Sequence, residues 1–219
     1  MKRKSPLKKH AKRPSKAKLT WRKAWYFIWE DDSWASWFVN IVIAFVLIKF
    51  LIYPGLGWAL STSHPIVAVV SSSMEHDGSF DDWWASAAVC QKNTPCNQEI
   101  YYKSLGITQE EFKDFKFKNG FNKGDIMILM GTHPSKIKVG DVIVYQADRP
   151  DPIIHRVITA KDTDGLYSYA TKGDHNVGSF YFESYIPQEN YIGRAVLRIP
   201  ILGYIKLAFV WLLQLIGIV

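Results

Sequence analysis

The chain has 219 residues, 48% of them apolar and 21% charged, which leaves room for one modest domain plus anchoring segments and excludes a two-domain enzyme. The formal charge of +7 belongs wholly to the N-terminus: Met1 to Trp29 hold eleven Lys or Arg and no Asp or Glu, while the remainder carries sixteen basic against twenty acidic residues. The domain that follows is mildly acidic, so the basic balance marks no nucleic-acid-binding domain, and no nucleic-acid partner is expected.

Residues 1–33 read as a basic cytoplasmic tail held at an anionic membrane surface. Within it Trp21, Trp25 and Trp29 fall at four-residue spacing beside Arg22 and Lys23, the pattern of a short amphipathic helix lying on the membrane. Residues 34–60 carry Lys49 as their only charge. At about 20 residues per crossing this is a transmembrane anchor, with Pro54, Gly55 and Gly57 marking an end close to Tyr53. The basic region is too long, and the apolar run too extended, for a cleaved signal peptide. The positive-inside rule puts the N-terminus in the cytoplasm and the next domain outside.

Residues 61–198 form a series of short β-branched and aromatic runs cut by Gly, Asp, Asn and Pro, which predicts a mainly β domain. The strand candidates are residues 66–70, 126–130, 142–145, 153–158, 166–171 and 192–197. Gly124-Asp125 and Gly140-Asp141 each open a strand through a tight turn. An insertion over 79–119 carries the one helical candidate, where Thr108 and Glu111 make a capping box ahead of Phe112 and Phe115. Phe80, Trp83 and Trp84 in that insertion either dip into the membrane surface or pack beneath it. Cys90 and Cys96 flank a short polar loop and form either a local disulfide or two unpaired thiols. Residues 199–219 hold one charge, Lys206, and are expected to make a second transmembrane helix.

Three places carry chemistry. Val70-Ser71-Ser72-Ser73-Met74-Glu75 ends an apolar run in a serine cluster, where a hydroxyl stands exposed at a strand terminus. His155 lies in Ile153-Ile154-His155-Arg156-Val157-Ile158, where alternation sets Ile153, His155 and Val157 on one face. Gly173-Asp174-His175-Asn176 follows Thr171-Lys172 and offers a carboxylate. A serine needs a base to become a nucleophile, and the base needs a group to orient it.

In this order, with Gly140-Asp141-Val142-Ile143-Val144-Tyr145 between them, these segments resemble the type I signal peptidases, in the archaeal and endoplasmic-reticulum branch. The resemblance covers most of residues 64–198. It implies a small signal-peptidase-like β fold and a membrane-bound serine endopeptidase that removes signal peptides from exported preproteins at the outer membrane face. By that resemblance Ser73 is the nucleophile, His155 the general base and Asp174 the carboxylate behind it. The Ser73 N–H and the Ser71 hydroxyl receive the oxyanion. Substrate binds extended along a strand edge. Preproteins and the lipid membrane are the implied partners, with further subunits left open, and an archaeal-type cell membrane is favoured over the endoplasmic reticulum.

The sequence departs from the family in the length of its 79–119 insertion and at three points of the motifs. His76 stands where members commonly have proline, and His175 interrupts the Gly-Asp-Asn segment. Phe180 occupies the place of a second aspartate six residues beyond the first, with Glu183 the nearest acid, so the acid behind His155 stays open among Asp174, Glu183 and another. His155, Asp174 and His175 are metal-ligand types, but no His-Glu-x-x-His pattern is present and neither metal nor cofactor is expected. The competing class is a catalytically silent, membrane-anchored β-domain serving as an adaptor or export-complex subunit.

Overall fold

The computed structural model describes residues 16–215, which divide into two compact units with the boundary between Pro54 and Gly55. The first unit opens with α1 (Lys16–Trp29) and α2 (Trp34–Leu47). Ser33 caps α2 by accepting from the Ser36 N–H. A π-helical turn at Ile48–Ile52 joins α2 to α3 (Tyr53–Ala59), so helical backbone runs unbroken from Trp34 to Ala59, long and apolar enough to cross a membrane. The end expected near Tyr53 is therefore passed by. Pro54 has no N–H to donate, and the widened turn just ahead of it absorbs both the ring and the missing bond.

In the second unit β1 (Ile66–Ala68) is followed by α4 (Phe80–Trp84), β2 (Ala87–Cys90), β3 (Thr94–Asn97), α5 (Gln98–Ser104) and α6 (Gln109–Asp114). Then come β4 (Ile126–Met130), β5 (Val142–Tyr145), β6 (Ile153–Thr163), β7 (Leu166–Lys172), β8 (Ile186–Pro187), β9 (Tyr191–Ile199) and α7 (Tyr204–Leu215). The domain is mainly β: seven strands pair antiparallel in the order β1-β4-β9-β5-β6-β7-β8, and all six strand candidates lie in this sheet. Register shifts at Ile128/Leu129, Val144/Tyr145 and Val157/Thr159 bend it, as bulges do.

Period-two alternation sorts side chains to the two faces. Val142 and Val144 join Met74, Phe121 and Leu129 in one core, while Ile143, Tyr145, Val157 and Tyr169 form another. Gly124 and Gly140 both have positive φ (88° and 91°), and Asp125 and Asp141 close their turns by accepting from the N–H groups of Asn122 and Lys138.

The insertion holds more structure than its sequence advertised. The capping box of Thr108 and Glu111 starts α6, and a second one, Ser79 with Asp82, starts α4. Between them β2 and β3 pair as a hairpin whose Cys90 and Cys96 are disulfide-bonded. Trp83 and Trp84 pack beneath the insertion with Tyr102, Phe112 and Ile158 and are 1% and 3% exposed. Phe80 packs against the same cluster.

At the C-terminus, Ile199 ends β9, and α7 starts only after Pro200 and Gly203. The second span expected over 199–219 extends beyond the described residues. Within them α7 has 12 residues, about 18 Å of helix, and Trp34–Ala59 alone is long and apolar enough to cross a bilayer.

Candidate active site

Ser73 is held in place by its neighbours. Its segment leaves β1 with the Val69 N–H donating to the Asp125 carbonyl, and the buried Met74 side chain plugs the segment into the core. The Met74 carbonyl accepts from the Phe121 N–H, and the Ser73 carbonyl accepts from the His175 N–H, both at 2.9 Å. The Ser73 hydroxyl is left free to face β6, where it lies 2.9 Å from His155 Nε2. The Ser71 hydroxyl is 3.1 Å from the same oxygen.

His155 is buried on β6 opposite Ile143 of β5. Its Nδ1 is in direct hydrogen-bond contact with Glu183 Oε1. An ionised carboxylate only accepts, so Nδ1 carries the proton and Nε2 presents its lone pair to the serine hydroxyl. Glu183 is buried in a 3₁₀ turn, Tyr181–Glu183. Its Oε2 accepts from the Phe180 N–H at 2.8 Å, and Oε1 accepts from the Thr171 hydroxyl at 3.2 Å and more weakly from Tyr145. Burial pushes the Tyr145 phenol well above its ordinary value, with the Glu183 charge adding to the rise, so the hydroxyl remains a donor.

The structure brings Ser73, His155 and Ser71 together but does not bring Asp174 to His155. Both Asp174 oxygens face Arg156, at 2.9 Å from Nε and 2.6 Å from Nη2, and Oδ2 also meets His76 Nε2 at 3.0 Å. The reason is strand alternation. His155 and Arg156 are consecutive on β6 and face opposite sides, and Arg156 pairs with Lys172 of β7, two residues before Asp174. Burial pushes the Asp174 carboxyl up, but the Arg156 charge and the hydrogen bonds from His76 and Arg156 outweigh it and hold the group well below the usual carboxylate range. The Arg156 guanidinium also donates to the Lys116, Phe117 and Gly140 carbonyls, tying two further segments behind the site.

His76 lies flat on Trp83, with centroids 3.7 Å apart, and the Trp83 indole N–H donates to the Asp174 carbonyl. Lys172 is buried between the Tyr101 and Tyr102 rings and donates to the Gly173 and Asp174 carbonyls. Burial pushes its ammonium down to about 8, against the pull of Asp174 and Glu183. His175 sits 3.6 Å from Asp77, and among the described residues no three His, Cys, Asp or Glu converge to hold a metal ion.

Gly173 lies against both Ser73 and His155. A Cβ there would lie 2.7 Å from the Ser73 carbonyl oxygen and 2.8 Å from His155 Nε2, well inside van der Waals contact. Gly173→Ala is expected to push the imidazole off the serine and lower turnover per folded molecule about 100-fold, and the clash with the Ser73 backbone should lower the unfolding temperature as well. Wild-type turnover in a folded Gly173→Ala variant would show that the contact is slack.

No family model matches the chain. Among curated proteins it is 36% identical over 123 residues to the signal peptidase complex catalytic subunit SEC11 of Lachancea thermotolerans, covering 49% of this chain and 73% of that one. It is 27% identical over 176 residues to the same subunit of Sclerotinia sclerotiorum, covering 76% of this chain and 77% of that one. It is 30% identical over 94 residues to human SEC11C, covering 40% of this chain and 49% of that one. With that coverage and a mainly β domain behind a long apolar helix, the chain belongs to the type I signal peptidases, in the branch of the SEC11 catalytic subunits.

Proposed function

We propose that this enzyme removes signal peptides from exported preproteins by serine acyl transfer, with Ser73 as nucleophile, His155 as general base and Glu183 as the carboxylate that orients it. The observation that carries the reading is the unbroken line of contacts from Glu183 through His155 to the Ser73 hydroxyl. A catalytically silent adaptor has no use for such a line.

In the proposed cycle Ser73 Oγ attacks the scissile carbonyl as its proton passes to His155 Nε2. The Ser73 N–H, with the Ser71 hydroxyl, stabilises the oxyanion. His155 then gives its proton to the departing amine, and water repeats the sequence to free the acyl-enzyme. Substrate runs extended beside β1, which lies at one end of the sheet and leads directly into the Ser73 segment. Alternate side chains of such a peptide face one way, matching small residues at two shallow pockets.

Residues 61–198 are the catalytic domain in this reading and 34–60 its membrane anchor, with the N-terminus cytoplasmic, the active site on the outer face, and the cell membrane as location. The relatives are named as subunits of a signal peptidase complex, which supports partner subunits for this chain. The test is cleavage of a secretory preprotein by full-length protein in lipid vesicles, with the new N-terminus sequenced. Cleavage after a small residue is expected. Folded, inserted protein that leaves the preprotein whole, alone and with its co-purifying subunits, would sink the reading.

A further inference from the structure

Every helix leaves its last carbonyls without partners inside the helix, and in water the solvent satisfies them. At the C-terminal end of α1 the protein does this itself. The Tyr26 carbonyl accepts from the Glu30 and Asp31 N–H groups. The Phe27 carbonyl accepts from the Ser36 hydroxyl, and the Ile28 carbonyl from Asn40 Nδ2 at 2.9 Å. Ser36 and Asn40 are four residues apart on one face of α2, in the first turns of the long apolar helix, and Ser36 is buried. A carboxamide in an apolar span is costly unless paired. The α1–α2 elbow resolves both problems at once and has the form of a joint built for low water.

Beyond the elbow α1 carries an exposed ladder of indoles. Trp21, Trp25 and Trp29 are 69%, 51% and 68% exposed, with successive centroids 6.4 and 5.6 Å apart. Indole rings with one apolar body and one N–H favour the lipid–water boundary. Arg22 and Lys23 are exposed beside the ladder, and nine further Lys or Arg precede them with no acid before Glu30. That one-sided charge selects an anionic occupant.

We propose that α1 is an in-plane interfacial helix, hinged to the apolar span by Ser36 and Asn40, that binds anionic phospholipid headgroups through Arg22 and Lys23 while its indole ladder sits at the acyl boundary. The proposal rests on Trp34–Ala59 spanning a bilayer and is independent of the catalytic assignment. The test is amide hydrogen exchange on the full chain in phosphatidylcholine nanodiscs with and without phosphatidylglycerol.

Exchange across Lys16–Trp29 is expected to slow by about tenfold when the anionic lipid is present, and Arg22→Gln with Lys23→Gln to abolish that difference. Ser36→Ala with Asn40→Leu is expected to unfasten the last turn of α1 in both discs. Exchange protection of the β4, β5 and β9 amides serves as the control for a folded domain. Equal exchange in the two discs, or protection arising only when RNA or another protein is added, overturns the proposal. An elbow variant protected like wild type overturns the hinge.

Discussion

Glu183→Gln is expected to lower preprotein cleavage by about 10³- to 10⁴-fold, and Ser73→Ala by about 10⁶-fold, with the folded fraction unchanged in both. Gln keeps the shape of Glu183 but offers His155 Nδ1 a neutral group that can turn its N–H toward the ring. The imidazole then loses both its fixed tautomer and the negative charge that stabilises its protonated form. Because the three groups act as a unit, Glu183→Gln added to Ser73→Ala should cost almost nothing further. Thr171 and the Phe180 N–H would still hold the side chain in position, so the loss should fall on kcat with KM little moved. Glu183→Gln turning over at the wild-type rate would remove Glu183 from the mechanism.

The residues differ in how openly the sequence declared them. The strands were legible because β-branched runs bounded by turn residues say the same thing locally and globally. Thr108 and Glu111 announced α6, and Ser79 with Asp82 carried the identical signal for α4, but a five-residue helix is too short to show periodicity. The β2–β3 hairpin was hidden because Ala87-Ala88-Val89-Cys90 does not alternate and Pro95 interrupts its partner. Ser73 and His155 were singled out through the resemblance, and the geometry adds the direction in which each side chain points. Glu183 was visible only as the nearest acid to the Phe180 position, an open alternative to Asp174. It lies nine residues beyond Asp174, and only the 3₁₀ turn at Tyr181–Glu183 swings it back to His155, a path that no spacing rule encodes. The same alternation that set Ile153, His155 and Val157 on one face implied that Arg156 looks the other way, and Arg156 is where Asp174 went.

Asp174→Asn is accordingly expected to act on stability, costing about 3 to 5 kcal/mol, because it leaves the buried Arg156 guanidinium without its counter-charge. The effect should carry a pH signature. The folded Asp174 carboxyl titrates below its ordinary 3.8, so its contribution is fully present above that value and is lost as pH falls through the folded-state pKa. The stability gap between wild type and Asp174→Asn should therefore be wide at neutral pH and close in acid, as the wild-type carboxyl takes up the proton that makes it resemble the amide. Urea unfolding of the full chain in micelles across that range measures the gap. A constant gap would assign the cost to geometry instead of charge. Catalysis provides the sharper distinction, since activity per folded molecule should fall far less in Asp174→Asn than in Glu183→Gln. The reverse order would return the catalytic carboxylate to Asp174 and make Glu183 the structural one.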